Sequence, residues 1–399
     1  ETLAASLFAA EASTGVGKDP RVRWPPLAES VGAVVYHCDP EQQDLRVAFN
    51  VAIFDRSMLD GSVMMSSVLQ MVLGAPVPDI VSCEIRDIFF PMGFLRLFDG
   101  PALDGRDLWQ ALERPRKDAG MILGAVIRPR TGLLPDQLGD FCQQLWKDCD
   151  LIRSDEHHRN QVYCDVTGGI AEVVEAMQSA TSAFESPKLF LATLAADDPV
   201  EMVARGKHVL RMFGLLAPNC GFQLAEPLTS LGALTAVRRA FPSQFLHYHS
   251  SGAVAAQSMG NKRGYTAFVH AKLARILGAS SVLLETKVEE TTTMSTSEKQ
   301  ERQELVSMLR QDENDGPVFE QSWEGMKQVL PVISGKIHPL QLPFFFESLG
   351  HSEVLVTAEV SASKRDSGPG LSSMRAAEEA WKIWHRQRGE MQDTLAEYL

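Results

Sequence analysis

Long apolar runs are missing: none in the 399 residues approaches the roughly 18 that cross a bilayer, and no signal-like hydrophobic stretch follows Glu1. A transmembrane segment is not expected. The initiator methionine is also lacking, which predicts a processed or incomplete N-terminus. Positive charge is in short supply, with 38 Lys and Arg against 51 Asp and Glu and a formal net charge of -13. No chain-wide field therefore draws phosphate backbones or anionic lipid, and nucleic acid is not expected as a partner. Cysteines number only 6, without a CxxC pair or a short Cys/His ligand spacing. So few in so long a chain make no disulfide framework, and reduced, packed thiols are expected. Compositional bias is absent too, at 45% hydrophobic and 22% charged residues with aromatics spread throughout. That excludes collagen, coiled coil and disorder, and the length predicts two or three domains with a sizeable core.

What is present has a clear order. Residues 33–36 and 47–54 are rich in β-branched and aromatic side chains and predict strands of a small sheet domain. Val63, Val68, Met71 and Val72 share one helical face before Gly74-Ala75-Pro76 stops the run. After Phe98-Asp99-Gly100-Pro101, short apolar runs alternate with amphipathic stretches. The strand candidates are 121–127, 151–153, 189–194, 221–225, 245–249, 281–285, 331–334 and 354–358. Helix-like stretches include 169–183, 199–213, 231–240, 264–277, 323–329 and 375–386. An eightfold β/α repeat of this kind predicts a closed barrel. The rival doubly wound sheet more often shows a Gly-rich turn after its first strand, where this chain has Arg128-Pro129-Arg130. Barrel chemistry sits at the C-terminal strand ends. Those ends carry Arg128 and Arg130, then Arg153 with Asp155 and Glu156, then His249 and Ser334. The polar segment 289–302 reads as a solvated loop.

Several blocks share one source of likeness. They are Val126-Ile127-Arg128-Pro129-Arg130-Thr131-Gly132-Leu133, Asp155-Glu156, Phe245-Leu246-His247-Tyr248-His249, Lys262-Arg263-Gly264-Tyr265-Thr266 and Phe344-Phe345-Phe346-Glu347-Ser348. Together with Glu11-Ala12-Ser13-Thr14-Gly15 they resemble RuBisCO large subunits, most closely the form II type. The resemblance implies an α/β chain with an N-terminal α+β, ferredoxin-like domain over residues 1–115, its first strand absent. A (β/α)8 TIM barrel follows over 116–399, and family members usually pair as dimers.

The resemblance also implies where this chain departs from its family. Family members end the second barrel strand with a lysine that reacts with CO2, and the carbamate joins the next Asp and Glu in holding Mg2+. Arg153 stands at that position. An amine must shed a proton to attack CO2, which a guanidinium essentially never does, so no carbamate is expected. A fixed charge about 4 Å from Mg2+ would cost roughly 8 kcal/mol at an effective dielectric of 20. Arg153 is expected to replace the ion, leaving no cofactor.

The base lysine of the family corresponds to Arg128 and its second lysine to Arg130, neither of which can serve as a general base. The lid lysine aligns with Thr291 and the His before that loop with Leu283. His249 is kept, but the phosphate-binding arginine after it is Ser250, and the second phosphate's glycine run is Glu359-Val360-Ser361. Glu11, Asp155, Glu156, His249 and Ser334 match catalytic or ligand-contacting positions and read as a vestigial site. The adjacent His157-His158 pair cannot normally face one ion together and is expected at the surface.

Losses thus touch carbamate, base, lid and both phosphate clamps, while the strands and turn glycines remain. The expectation is a pseudoenzyme, a structural or assembly subunit of a larger complex in an organelle, chloroplast or mitochondrion. Its expected partners are other protein subunits, a homodimer being a further arrangement. Two alternatives stay open. One is a RuBisCO-like enolase or isomerase on a phosphorylated sugar, although such enzymes generally keep the metal site. The other is a metal-independent anion-sensing module built on Arg128, Arg130 and Arg153.

Overall fold

The computed structural model describes residues 2–15, 23–74, 80, 82–115, 119–158, 160–225, 231–249, 263–284, 296–335, 337–361 and 370–398. Its strands in chain order are β1 (Val34–Asp39), β2 (Asp44–Ala48), β3 (Cys83–Ile85), β4 (Ile122–Arg128), β5 (Leu151–Arg153), β6 (Leu189–Thr193) and β7 (Cys220–Ala225). They continue with β8 (Leu246–His249), β9 (Arg263–Tyr265), β10 (Ser281–Leu283), β11 (Glu313–Asp315), β12 (Glu320–Ser322), β13 (Leu330–Gly335) and β14 (Leu355–Ser361). The chain divides into two compact units, Glu1–Phe98 with Val254–His270, and Asp99–Ala253 with Ala271–Leu399.

In the first unit, β1 and β2 form an antiparallel hairpin and β3 pairs in parallel with β9. Phe8 and Ala12, from the end of helix Thr2–Glu11 and the residue after it, are buried with Leu45, Val47 and Phe49 packed against them. The second predicted strand, 47–54, is corrected: the strand ends at Ala48 and Val51–Ile53 form a 3-10 turn. Asn50 caps that turn, its side chain accepting from the Ala52 amide, a local bond that competes with the sheet ladder.

The second unit is the predicted barrel. Eight parallel strands close in the order β4, β5, β6, β7, β8, β10, β13, β14 and back to β4. Each of the eight predicted strands supplies one of them. The helix predicted at 323–329 is absent, because Glu324 and Gly325 both take positive φ, 52° and 81°. Trp323 there is buried beneath the Arg275 guanidinium, 3.9 Å from its ring centre, and donates to Asn314. Residues 296–302 of the expected loop 289–302 are corrected to the start of helix Thr296–Arg310, and 289–295 lie outside the described residues. The last helix, Leu371–Tyr398, is tied to the barrel by a charged hydrogen bond. Glu378, 1% exposed on that helix, accepts at 2.6 Å from the amide of Met121, the residue before β4.

Strand alternation sorts the barrel interior into layers. Ile122, Leu189, Phe245, Leu330 and Leu355 belong to one apolar cluster near the strand starts, with Leu151, Leu191 and Val332. Two residues further along, the same inward face carries Arg153, Thr193, His247, Ser334 and Thr357. The interior therefore turns from apolar to polar toward the C-terminal strand ends. Gly221 is required in the apolar layer, since a Cβ there would lie 2.7 Å from both Leu191 Cδ2 and the Phe245 carbonyl. Gly221→Ala is expected to cost about 1–3 kcal/mol by overpacking, read as a lower denaturation midpoint at unchanged m-value.

Candidate functional site

The polar layer converges on the segment after β5. Arg153, the last residue of that strand, is 3% exposed. Its Nη1 donates to Glu156 Oε1 at 2.8 Å and to Gln223 Oε1 at 3.1 Å. Gln223, fully buried on β7, donates back to the same Glu156 oxygen at 3.0 Å. His249, at the end of β8, brings Nε2 to 3.3 Å from that oxygen. One carboxylate oxygen thus gathers an arginine, a glutamine and a histidine from three strands.

A second cluster forms beside it. Arg128, ending β4, donates through Nη1 to Asp155 and through Nη2 to Glu359 on β14 at 2.6 Å. Arg130 Nε lies 3.9 Å from Asp155 Oδ2, and His157 Nδ1 lies 2.6 Å from Oδ1. Asp155 is 0% exposed. Three guanidiniums therefore face three carboxylates across the barrel mouth, and the group carries no net charge.

Electrostatics reflect this pairing. Burial raises the Glu156 carboxyl, but the Arg153 charge and the hydrogen bonds it receives outweigh burial and hold it below the ordinary value of 4.5. Burial lowers Arg153 from 12.5, opposed by Glu156, and the guanidinium stays protonated. Burial likewise lowers Arg128, yet Glu359 and Asp155 reverse the sign and raise it. His249 and His247 fall well below 6.5, through burial first and the Arg153 charge second. His249 thus approaches Glu156 as a neutral ring.

The remaining expected positions separate. Leu283 ends β10 and packs against the apolar cluster, and Ser334 is half-buried on β13. Glu11 is exposed at the end of the first helix of the other unit. Thr291 and Ser250 lie outside the described residues. The surface expectation for His157-His158 is corrected in part. His157 is exposed but bonded to Asp155, while His158 is half-buried against the Pro129 carbonyl at 3.1 Å, and burial lowers its pKa. Gln223 was not singled out from the sequence, although a polar residue at an inward position between Phe222 and Leu224 marks it by period-2 alternation.

Donor atoms of Asp155, Glu156 and His157 all lie within 4.8 Å of one another, close enough on distance alone to share a cation. The chemistry of the set opposes one. Asp155 Oδ2 is bonded to Arg128, Asp155 Oδ1 to His157, and Glu156 Oε1 to Arg153 and Gln223. A hard divalent ion prefers an oxygen cage of net negative charge, and each of these two carboxylates is already paired with a guanidinium.

Comparison with known proteins places these observations. The family model for the ribulose bisphosphate carboxylase large chain, catalytic domain, matches residues 105–397, and that for the N-terminal domain matches residues 1–94. A chloroplastic ribulose bisphosphate carboxylase of Heterocapsa triquetra is 42% identical over 384 residues, covering 95% of this chain and 51% of that protein. The ribulose bisphosphate carboxylase of Symbiodinium sp. is 41% identical over 95% of this chain and 25% of its own length. That of Rhodobacter capsulatus is 38% identical over 95% of this chain and 82% of its length. The chain thus spans about half or a quarter of the first two relatives. The structure of a dimeric archaeal Rubisco from Hyperthermus butylicus superposes with a TM-score of 0.80 at 25% identity, covering 95% of this chain and 86% of that one.

Proposed function

We propose, from the premise that the chain belongs to the ribulose bisphosphate carboxylase large-chain family close to its form II members, that it is a catalytically inactive member. Its role is that of a structural or assembly subunit in a larger organellar complex. One observation carries the reading: one oxygen of Asp155 is held by Arg128 and one oxygen of Glu156 by Arg153, so two guanidiniums stand where a cation would need negative charge. The residues present do not fit Mg2+, and no catalytic step is derived through it. Neither Arg128 nor Arg130 can take up a substrate proton near neutral pH. Glu359 sits on Arg128, so an incoming phosphate would meet a carboxylate already in its place.

Organellar location is supported by the likeness to the chloroplastic relative, and pairing of two copies by the likeness to the dimeric archaeal protein. The intact barrel is what such a subunit contributes, since a packed surface survives where the chemistry does not.

A second reading, a metal-dependent enolase or isomerase on a phosphorylated sugar, is favoured only by the close approach of Asp155, Glu156 and His157. Anion sensing is disfavoured because the three arginines are neutralised within the site. Purified protein given ribulose bisphosphate, labelled CO2 and Mg2+ is expected to fix no label above a heat-killed control. Calorimetric titration with sugar phosphates is expected to show no heat with or without Mg2+. Label fixation, or Mg2+-dependent binding, overturns inactivity. Native isolation from source material is expected to recover the chain with other polypeptides, and recovery solely as a free monomer or homodimer overturns the assembly role.

A further inference from the structure

Acidic residues vanish from one part of the barrel's outer layer. The chain spreads 51 Asp and Glu over its 399 residues, yet none occurs in 202–225 or in 231–249. The first of these segments holds most of helix Pro199–Phe213 and then β7, the second helix Leu231–Ala240 and then β8. They carry Arg205, Lys207, Arg211, Arg238 and Arg239, so positive charge collects locally in a chain of net charge -13.

An open groove of about 820 Å³ lies there, between the second half of helix Pro199–Phe213 and the turn that leads into β8. Leu210, Ala240 and Pro242 line it with apolar surface above Phe241, which is 3% exposed. The helix passes so close that a Cβ on Gly206 would lie 2.4 Å from Phe241 Cζ, and the Phe241 ring packs 4.7 Å from that of Phe222. A groove founded on such packing is preformed, and binding there costs little ordering.

Val200, Ala204, Lys207 and Arg211 stand at i, i+4, i+7 and i+11 on one exposed face of the helix. Val200 is 74% exposed, and Leu215, just past the helix end, is 99% exposed. Two bare apolar side chains thus bracket two cations. Arg205 takes Glu201 at 2.7 Å, but among the described residues no carboxylate pairs with Lys207 or Arg211, and Arg211 meets His208 Nδ1 at 3.5 Å. A phosphate-rich ligand would use the cations and leave the apolar surface wet. A wholly apolar partner would strip water from the cations without bringing a countercharge. A helix with carboxylates beside aliphatic side chains uses both features, and the helical spacing of the stripe suits one laid alongside it.

We infer that this groove docks an acidic amphipathic helix of another polypeptide, its carboxylates on Lys207 and Arg211 and its apolar side chains on Leu210, Pro242 and Leu215. The inference rests on the assembly role proposed above and names the chemistry of the partner.

The test has two arms. On the purified full chain, fluorescence anisotropy follows a labelled helix of about 18 residues with Leu on one face and Glu on the others, and an analogue with Lys for every Glu. The acidic helix is expected to bind and the basic one not. Affinity is expected to fall about tenfold or more in the double variant Lys207→Glu, Arg211→Glu, and severalfold as salt rises from about 0.05 to 0.5 M. Lys147→Glu, which shifts net charge in the same direction but lies beyond helix Pro135–Leu145, is expected to leave binding unchanged. In the assembly isolated from source material, carbodiimide, which joins an amine to a carboxylate in contact with it, is expected to couple Lys207 to Asp or Glu of a different polypeptide. No binding of the acidic helix, equal binding of both helices, or indifference to the double variant overturns the proposal. Other polypeptides present with Lys207 uncoupled, or coupled only within this chain, overturn the groove and leave the assembly role standing, whereas recovery of the chain alone overturns both.

Discussion

Arg153→Ala is expected to lower the unfolding free energy by about 3–5 kcal/mol, because it removes one partner of a buried ion pair and leaves the other charge uncompensated. Glu156 retains the Gln223 amide and neutral His249, but no positive charge remains in direct contact with that oxygen. Its carboxyl, now held below the ordinary value chiefly against the pull of burial, should rise once Arg153 is gone. The double variant Arg153→Met, Glu156→Gln removes both charges and is expected to recover most of the loss, since apolar or neutral replacement of a whole buried pair is often close to neutral. Arg153→Lys keeps the charge but replaces a planar fork with a point donor, so it is expected to fall between the two. Urea denaturation of the four proteins checks this. A single-variant loss below about 1 kcal/mol, the range of exposed pairs, would show that the pair is solvated.

The same pair explains what the sequence could and could not show. That Arg153 stands beside Asp155 and Glu156 was legible, because three of the residues lie within four positions of each other at a strand end. Which carboxylate it takes was not. Arg153 goes to Glu156, and Asp155 is taken by Arg128, 27 positions earlier on the neighbouring strand. Long-range pairing of this sort is set by barrel closure, which brings Glu359 within reach of Arg128 across 231 positions. The eight strands were legible because buried parallel strands read as short apolar runs between turn signals. The segment 323–329 misled because its apolar spacing suits a helix, while two left-handed residues and the Arg275–Trp323 stack hold it in another path. His351 gave no signal at all. A histidine after Gly350 at the end of a helix looks exposed, and only the tertiary fold removes its nitrogens from water.

Acidification is expected to destabilise the protein well before its carboxylates titrate. His247 is fully buried, its Nδ1 facing Ser281 Oγ at 3.0 Å and its Nε2 without a partner. Burial first, then the charge of Arg153 and the neighbouring His249 ring, hold it well below 6.5. His351 is lowered to about 3, by burial and then by Arg310. For both, the folded state refuses a proton that the unfolded chain accepts below about 6.5. A lowered histidine therefore contributes its full share of stability above that value and loses it as the pH falls toward the folded pKa. Each group costs about 1.4 kcal/mol per pH unit over that window, so these two and His249, lowered in the same way, together remove about 4 kcal/mol between pH 7.5 and 5.5. Glu156, also lowered, loses its contribution only further down, as the pH passes below its ordinary value of 4.5. Unfolding free energies from urea titrations at pH 7.5, 6.5 and 5.5 measure the slope directly. His351→Leu is expected to reduce it by about a third at most, because one proton-refusing ring is gone while His247 and His249 remain. A profile that is flat from pH 7.5 to 5.5 would mean that His247, His249 and His351 all reach solvent and titrate normally, which their burial forbids.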